Sequence, residues 1–355
     1  SGAVIIKPVN NGVFNVTVKE SVLNTTLSNN VCDESTVEAG KETTCRIRVE
    51  QADSKGPVID PSYASALRAV IVSESGEQTI GTIEYSGLGG IFIVKFTLTR
   101  IGKAKITIEY ALNNNYAVLD NTQEVQIYSG PISVLHSKVQ CIPGATVLEP
   151  VECTIKAFDS YSNKAGSANS KGAFQLLAIR PGATTIYSMS AAIQTSTMES
   201  NEFKMSIDIH QSGEWIISST YLGTPIVDKS TVNLMPGPVT ASNTVISCPG
   251  IIPAMSIAQC SIQARDQYNN VLPKTLDTQS LFLGNVVFQQ NSLNANNHMF
   301  NPRVTMGINQ GEYLLKYRSP TQQSSLTVSV FLRSTSASGA VIIKPVNNGV
   351  FNVTV

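Results

Sequence analysis

Residues 153–166 read CTIKAFDSYSNKAG, and residues 260–273 read CSIQARDQYNNVLP. Both begin with apolar and polar side chains in alternation, as in Thr154-Ile155-Lys156-Ala157-Phe158. A period of two puts successive side chains on opposite faces and marks a half-buried β-strand. Both then carry the same residues at the same offsets from the cysteine: Asp159 and Asp266 at plus six, Tyr161 and Tyr268 at plus eight, Asn163 and Asn270 at plus ten. Asp and Asn side chains bond nearby backbone in turns. The two segments therefore read as one strand running into one defined turn, used twice, with the tyrosines packed beneath it. A third version, CRIRVEQADSKGPV from Cys45, keeps the strand but has Gln51 and Asp53 where the Asp and Tyr belong.

Working outward, the six cysteines fall in three close pairs: Cys32 with Cys45, Cys141 with Cys153, and Cys248 with Cys260, spaced 13, 12 and 12 residues apart. Their first members lie 109 and 107 apart. Prolines keep the same beat. Pro131 in YSGPI, Pro238 in MPGPV and Pro345 in IIKPV are separated by 107 and 107, while Pro8 lies 123 before Pro131. Residues 1–18 and residues 338–355 both read SGAVIIKPVNNGVFNVTV, an offset of 337 that equals the total of the three proline steps. Eighteen identical residues do not recur by chance. Either a longer parent carries near-identical tandem repeats of 337 residues, or one end was duplicated artificially; the inner periodicity favours the first. The chain opens on Ser1 with no signal-peptide pattern, so it reads as a processed product or a fragment.

Three diverged modules follow from this spacing. A second shared signal, GGIFIVKF from Gly89, SGEWIISS from Ser212 and QGEYLLKY from Gln310, reads as one strand common to all three, with Phe92, Trp215 and Tyr313 as equivalent core positions. Gly, Asn, Ser and Pro clusters punctuate the strands, and no stretch of helical length has a helical period. The fold class expected is all-β: three tandem immunoglobulin-like sandwiches arranged as a rod. Pro8, Pro131, Pro238 and Pro345 mark the junctions. In that frame residues 1–9 are the last strand of a preceding module, 10–131, 132–238 and 239–346 are modules one to three, and 347–355 begins a following module. The junctions have no Ser/Gly-rich spacer, and a proline there restricts the backbone.

The chain has 355 residues, 25 basic and 25 acidic, with 42% hydrophobic and only 14% charged. Such a length suits two or three domains. Without clustered Lys and Arg there is no footprint for nucleic acid. The apolar content is too high for disorder, and no apolar run approaches the length of a membrane span.

The cysteine pairs lie too close in sequence to be the inter-sheet bridge of antibody domains. They read as local staples joining a first strand to a second, each closing a loop for about 3 kcal/mol. Buried free thiols are the alternative; the lack of any C-x-x-C spacing argues against zinc. Disulfides imply an oxidising, extracellular setting. The C-x-I-x-A-x-D-x-Y-x-N pattern, the Gly-Glu-aromatic strand and the closing Gly-Pro resemble filamin-type immunoglobulin-like repeats, in particular the extracellular, cysteine-bearing versions of protist and plant-gamete surface proteins. The resemblance covers modules two and three well and module one in part. It implies scaffolding, adhesion or partner binding without catalysis.

Nothing in the sequence forms a catalytic, metal or cofactor constellation. His136, His210 and His298 are scattered and read as surface or edge-strand residues. Ser86-Gly87-Leu88-Gly89-Gly90 precedes a strand and reads as a hairpin turn, not a phosphate cradle. Asp159 with Asn163, and Asp266 with Asn270, offer half of a calcium loop, but no acidic cluster completes it, which favours the turn. Asn15, Asn24 and Asn352 begin N-x-S/T sequons. Two functions compete. One is the structural repeat unit of a long extracellular fibre or surface coat, such as a flagellar hair or sheath, whose partners are copies of itself head to tail and other surface or fibre proteins. The other is a cell-adhesion ectodomain that binds a protein through module-end loops.

Overall fold

The fold was obtained as a computed structural model. It describes residues 4–9, 13–18, 23–24, 29–52, 56–112, 115–119, 122–144, 146–183, 188–190, 192–193, 201–289, 299–300, 302–321 and 324–355. The chain begins with an antiparallel pair, β1 (Val4–Val9) and β2 (Val13–Val18), with Val4 opposite Val18 and Val9 opposite Val13. Three β-sandwich domains follow, each with its own hydrophobic core: residues Leu23 to Ile127, Val139 to Leu234, and Ile246 to Val353.

The first domain contains β3 (Asn29–Cys32), β4 (Thr36–Glu38), β5 (Glu42–Arg48), β6 (Leu67–Ser73), β7 (Gln78–Tyr85), β8 (Ile91–Thr97), β9 (Gly102–Leu112), β10 (Asn115–Val118) and β11 (Gln123–Tyr128). Eight run in the order β3-β5-β8-β7-β6-β9-β11-β4, because β7 pairs with β8 on one side and β6 on the other, and β10 also pairs β9.

The second domain has β12 (Lys138–Cys141), β13 (Val151–Lys156), β14 (Phe174–Ile179), β15 (Ser188–Ser190), β16 (Ala192–Ile193), β17 (Glu202–Ile207), β18 (Gly213–Tyr221), β19 (Thr224–Pro225) and β20 (Ser230–Leu234). One sheet is β12-β13-β17-β16. The other is β15-β14-β18-β19, with β20 also pairing β18.

The third domain repeats the plan with β21 (Val245–Ser247), β22 (Ile257–Gln263), a one-turn helix α1 (Leu276–Ser280), β23 (Phe282–Gln289), β24 (Met299–Phe300), β25 (Arg303–Met306), β26 (Glu312–Arg318), β27 (Ser325–Thr335) and β28 (Val341–Thr354). Its sheets are β21-β22-β26-β25 and β24-β23-β27-β28. The brief helix α1 is capped by Thr275, whose Oγ1 accepts from Thr278 N at 3.0 Å.

Alternation explains the strands. In β13, Val151, Cys153 and Ile155 are buried while Glu152 faces solvent. Each fully buried aliphatic side chain stabilises by about 1.5–3 kcal/mol. Aromatic pairs bind the two sheets of a sandwich across the core. Phe174 of β14 meets Phe203 of β17 at 4.6 Å, and Phe282 of β23 meets Tyr313 of β26 at 5.4 Å.

Two expectations are corrected here. Residues 347–355 do not begin a following module. Residues 341–345 pair with Thr335–Phe331, residues 350–354 pair with Ser329–Ser325, and Val353 is buried in the third core. The cause is the length of β27: eleven residues of edge accept one long strand, with Val346–Gly349 bulging opposite Val330. Pro345 therefore lies inside an edge strand, where its missing N–H is tolerated, and not at a junction. Pro8 lies likewise inside β1, opposite Phe14.

The second correction concerns the shared aromatic strand. β8 and β26 pair with the strand carrying the second cysteine, with Phe92 opposite Ile47 and Tyr313 opposite Ile262. Trp215 lies in the other sheet, on β18 between β14 and β20. The true counterpart of Phe92 and Tyr313 is Phe203, opposite Ile155. The backbone agrees: Val49, Ala157 and Ala264 donate to Gly90 O, Asn201 O and Gly311 O at 2.7, 2.9 and 2.9 Å. Trp215 is nevertheless core, fully buried, with Nε1 donating to Gln211 O at 2.8 Å.

Candidate functional site: the stapled loops and the joints

All three cysteine pairs are closed as disulfides, and among the described residues no cysteine is free. Cys32 lies directly opposite Cys45, and Cys141 opposite Cys153, on adjacent antiparallel strands. Between the two cysteines the chain leaves its own sheet. In each domain it crosses to the second layer and pairs in parallel with the end of the last strand: Thr36–Glu38 beside Gln126–Tyr128, Thr146 beside Met235, and Ile251 beside Thr354. Each staple therefore closes a loop that straddles both layers, and this loop holds the strand by which the chain leaves the domain.

The Asp-x-Tyr-x-Asn turns lie at the joints between domains. Asp159 Oδ1 accepts from Tyr161 N and Asn163 N, both at 2.9 Å. Its Oδ2 accepts from Asn163 Nδ2 at 2.8 Å and from Gly130 N, in the linker, at 3.0 Å. Ser162 adopts the left-handed backbone, φ 64°, that closes the turn. Asn163 then reaches into the preceding domain. Its Nδ2 donates to Thr99 O at 2.7 Å, and its Oδ1 accepts from Ile101 N at 3.3 Å. Asp159 and Asn163 are buried. Burial by itself raises the Asp159 carboxyl, but the Asn163 side chain and the backbone N–H groups of Asn163, Gly130 and Tyr161 outweigh it and hold the group below the ordinary carboxylate range.

The second joint repeats the first. Asp266 Oδ1 accepts from Tyr268 N and Asn270 N at 2.9 Å, and Oδ2 accepts from Asn270 Nδ2 and from Gly237 N at 2.9 Å. Asn270 Nδ2 donates to His210 O, and its Oδ1 accepts from Ser212 N, both at 2.9 Å. Asn269 takes the left-handed conformation, φ 70°. The linkers are bonded as well: Ser133 N donates to Phe158 O at 2.7 Å, and Thr240 N to Arg265 O at 2.8 Å. Pro131 and Pro238 follow the glycines whose N–H groups are held by the aspartates.

The tyrosines correct a further expectation. They do not lie beneath the turn; at 41% and 37% exposed they face the neighbouring domain. A Cβ on Gly40, which has φ 85°, would overlap the Tyr161 ring. Tyr268 stacks on His210 with ring centroids 4.2 Å apart and planes at 11°. His210 is thus a joint residue. His136 is exposed, with Nδ1 3.0 Å from Ser133 Oγ, and His298 lies outside the described residues.

The partner loops Thr99–Ile101 and His210–Ser212 escaped sequence reasoning. Their signal is positional: both end just before Gly102 and Gly213, which open β9 and β18 with φ 122° and 113°. The first domain's own turn residues 53–55 lie outside the described residues. Residues 86–90 connect the antiparallel pair β7 and β8.

Among the sequons, Asn352 is exposed on the outer strand β28, with Thr327 Oγ1 donating to its Oδ1 at 3.3 Å. Asn24 is half-buried, its N–H donating to Glu50 O at 2.9 Å. The side chain of Asn15 lies outside the described residues. A cleft beside Ile142, Glu152, Lys204 and Met205 holds about 130 Å³, below the roughly 300–1,000 Å³ of ordinary ligand sites.

No protein-family model matches the chain, and no curated protein matches it. Solved structures do. The Escherichia coli adhesin FdeC is 15% identical over 94% of this chain and 98% of its own, with a TM-score of 0.48. InvD of Yersinia pseudotuberculosis is 16% identical over 92% and 99%, with a TM-score of 0.43. An I-band fragment of titin is 8% identical over 90% and 98%, with a TM-score of 0.32.

Proposed function

We propose that this chain is a non-catalytic, load-bearing repeat unit of a long extracellular fibre or surface coat, built from stapled sandwiches and continued head to tail by further copies. The observation that carries this reading is the repeated joint. The same Asp, Asn and linker Gly lock two successive domain pairs by the same bonds, and neither joint leaves the domains on a free tether. The staples support it, since each ties down the loop that grips the exit strand. Three disulfides in a chain of this kind favour an oxidising compartment. No helix among the described residues is long and apolar enough to cross a membrane. The filamin-type, cysteine-bearing surface proteins that the turn motif resembles supply one model for such a role.

Immuno-electron microscopy of the source material, with antibody against this chain, tests the reading. Continuous fibres labelled at a constant interval are expected. Label confined to single rods standing on a cell surface would overturn it in favour of an adhesion ectodomain.

A further inference from the structure

Residues 1–18 and 338–355 are identical in sequence and differ in structure. The first copy pairs with itself as β1 and β2. The second is one fourteen-residue strand seated on β27. That seat is demanding. Val346 and Val353 are buried at 2% and 1% exposure. Asn347 N donates to Ala241 O at 2.8 Å, Thr354 N to Gly250 O at 2.9 Å, and Ile252 N to Thr354 O at 3.0 Å. At Gly349 a Cβ would lie 2.6 Å from Val346 O and 2.8 Å from Val330 O, so the bulge accepts only glycine. Residues 4–17 supply every one of these features at the constant offset of 337: Val9 for Val346, Gly12 for Gly349, Val16 for Val353.

We infer that the two copies are interchangeable occupants of one seat: the β27 edge of one molecule takes residues 4–17 of a second copy of this chain in place of its own residues 341–354. The arms of the donor are already the right pieces. Residues 4–8 and 13–17 correspond to the two halves of β28 that flank its bulge. A two-stranded hairpin is marginal in water, so opening it costs little beside the ladder and buried valines gained. The molecule's own strand holds the seat because it is tethered and its effective concentration is high. Exchange follows when that strand is weakened, and each exchanged strand joins one copy of this chain to another. The inference stands on the duplication and on the pairing of β28, and does not require the fibre reading.

The test uses the full chain. Gly349→Ala weakens the resident strand and leaves the donor intact. Light scattering after gel filtration is expected to show dimers and longer species at tens of micromolar, at least tenfold more abundant than for the parent. G12A/G349A spoils the donor as well and is expected to return to monomer. In the parent background, warmed below its melting range, Asn15→Cys on one chain and Thr327→Cys on another are expected to form a disulfide between chains, because Asn352, the counterpart of Asn15, lies opposite Thr327. Val16→Cys, one residue out of register, is expected to give under a tenth of that yield. A folded, monomeric G349A chain overturns the inference. So does equal association of G349A and G12A/G349A, or cross-linking indifferent to register.

Discussion

At the scale of single residues, Asp159 has the most to do. It satisfies the backbone of its own turn, the linker at Gly130 and the amide that reaches the previous domain. Asp159→Ala leaves buried N–H groups unpaired and is expected to cost on the order of 3 kcal/mol, read in the melting of the second domain by fluorescence of Trp215, the one tryptophan. The carboxyl is held below its unfolded value, so its contribution is complete above about pH 4 and fades as pH falls through the lower folded value. Acid titration of the same fluorescence is expected to show a destabilisation below pH 4 that Asp159→Ala removes. Gly311 is a second sensitive point. Its φ is 64°, and a Cβ would lie 2.8 Å from Leu272 O. Gly311→Ala is expected to destabilise the third domain by about 2–3 kcal/mol in chemical denaturation.

Strand existence, cysteine pairing and the Asp-Asn turn were legible in the sequence because each is a local pattern: alternation, a short loop, a side chain bonding its own backbone. Strand identity was less legible. Gly213-Glu214-Trp215 and Gly311-Glu312-Tyr313 look alike, yet they belong to different sheets. Distance from the second cysteine separates them: Phe92, Phe203 and Tyr313 lie 47, 50 and 53 residues beyond it, and Trp215 lies 62 beyond. The role of the tyrosines was illegible for a different reason. A turn motif specifies its own backbone, and its neighbour's loop lies about sixty residues away in sequence. At this element scale the staples make their own prediction. Replacing Cys141 and Cys153 together by serine is expected to cost the second domain about 3 kcal/mol, and calorimetry with and without reductant measures it.

For the whole molecule, the joints govern how the domains move. Asn163→Ala with Asn270→Ala removes the bonds to Thr99, Ile101, His210 and Ser212. The three domains are expected to remain folded, with their linkers holding them together. Small-angle X-ray scattering is expected to show a smaller maximum dimension and a broader spread of conformers than the parent chain.

The first domain carries Gln51, Asp53 and Lys55 at the offsets where the others have Asp, Tyr and Asn. In an array of such units, two couplings in every three would be rigid and the third would be of another make. Bending would then concentrate at nodes 337 residues apart, as in a segmented antenna, and the persistence length of a filament would be fixed by its least constrained coupling.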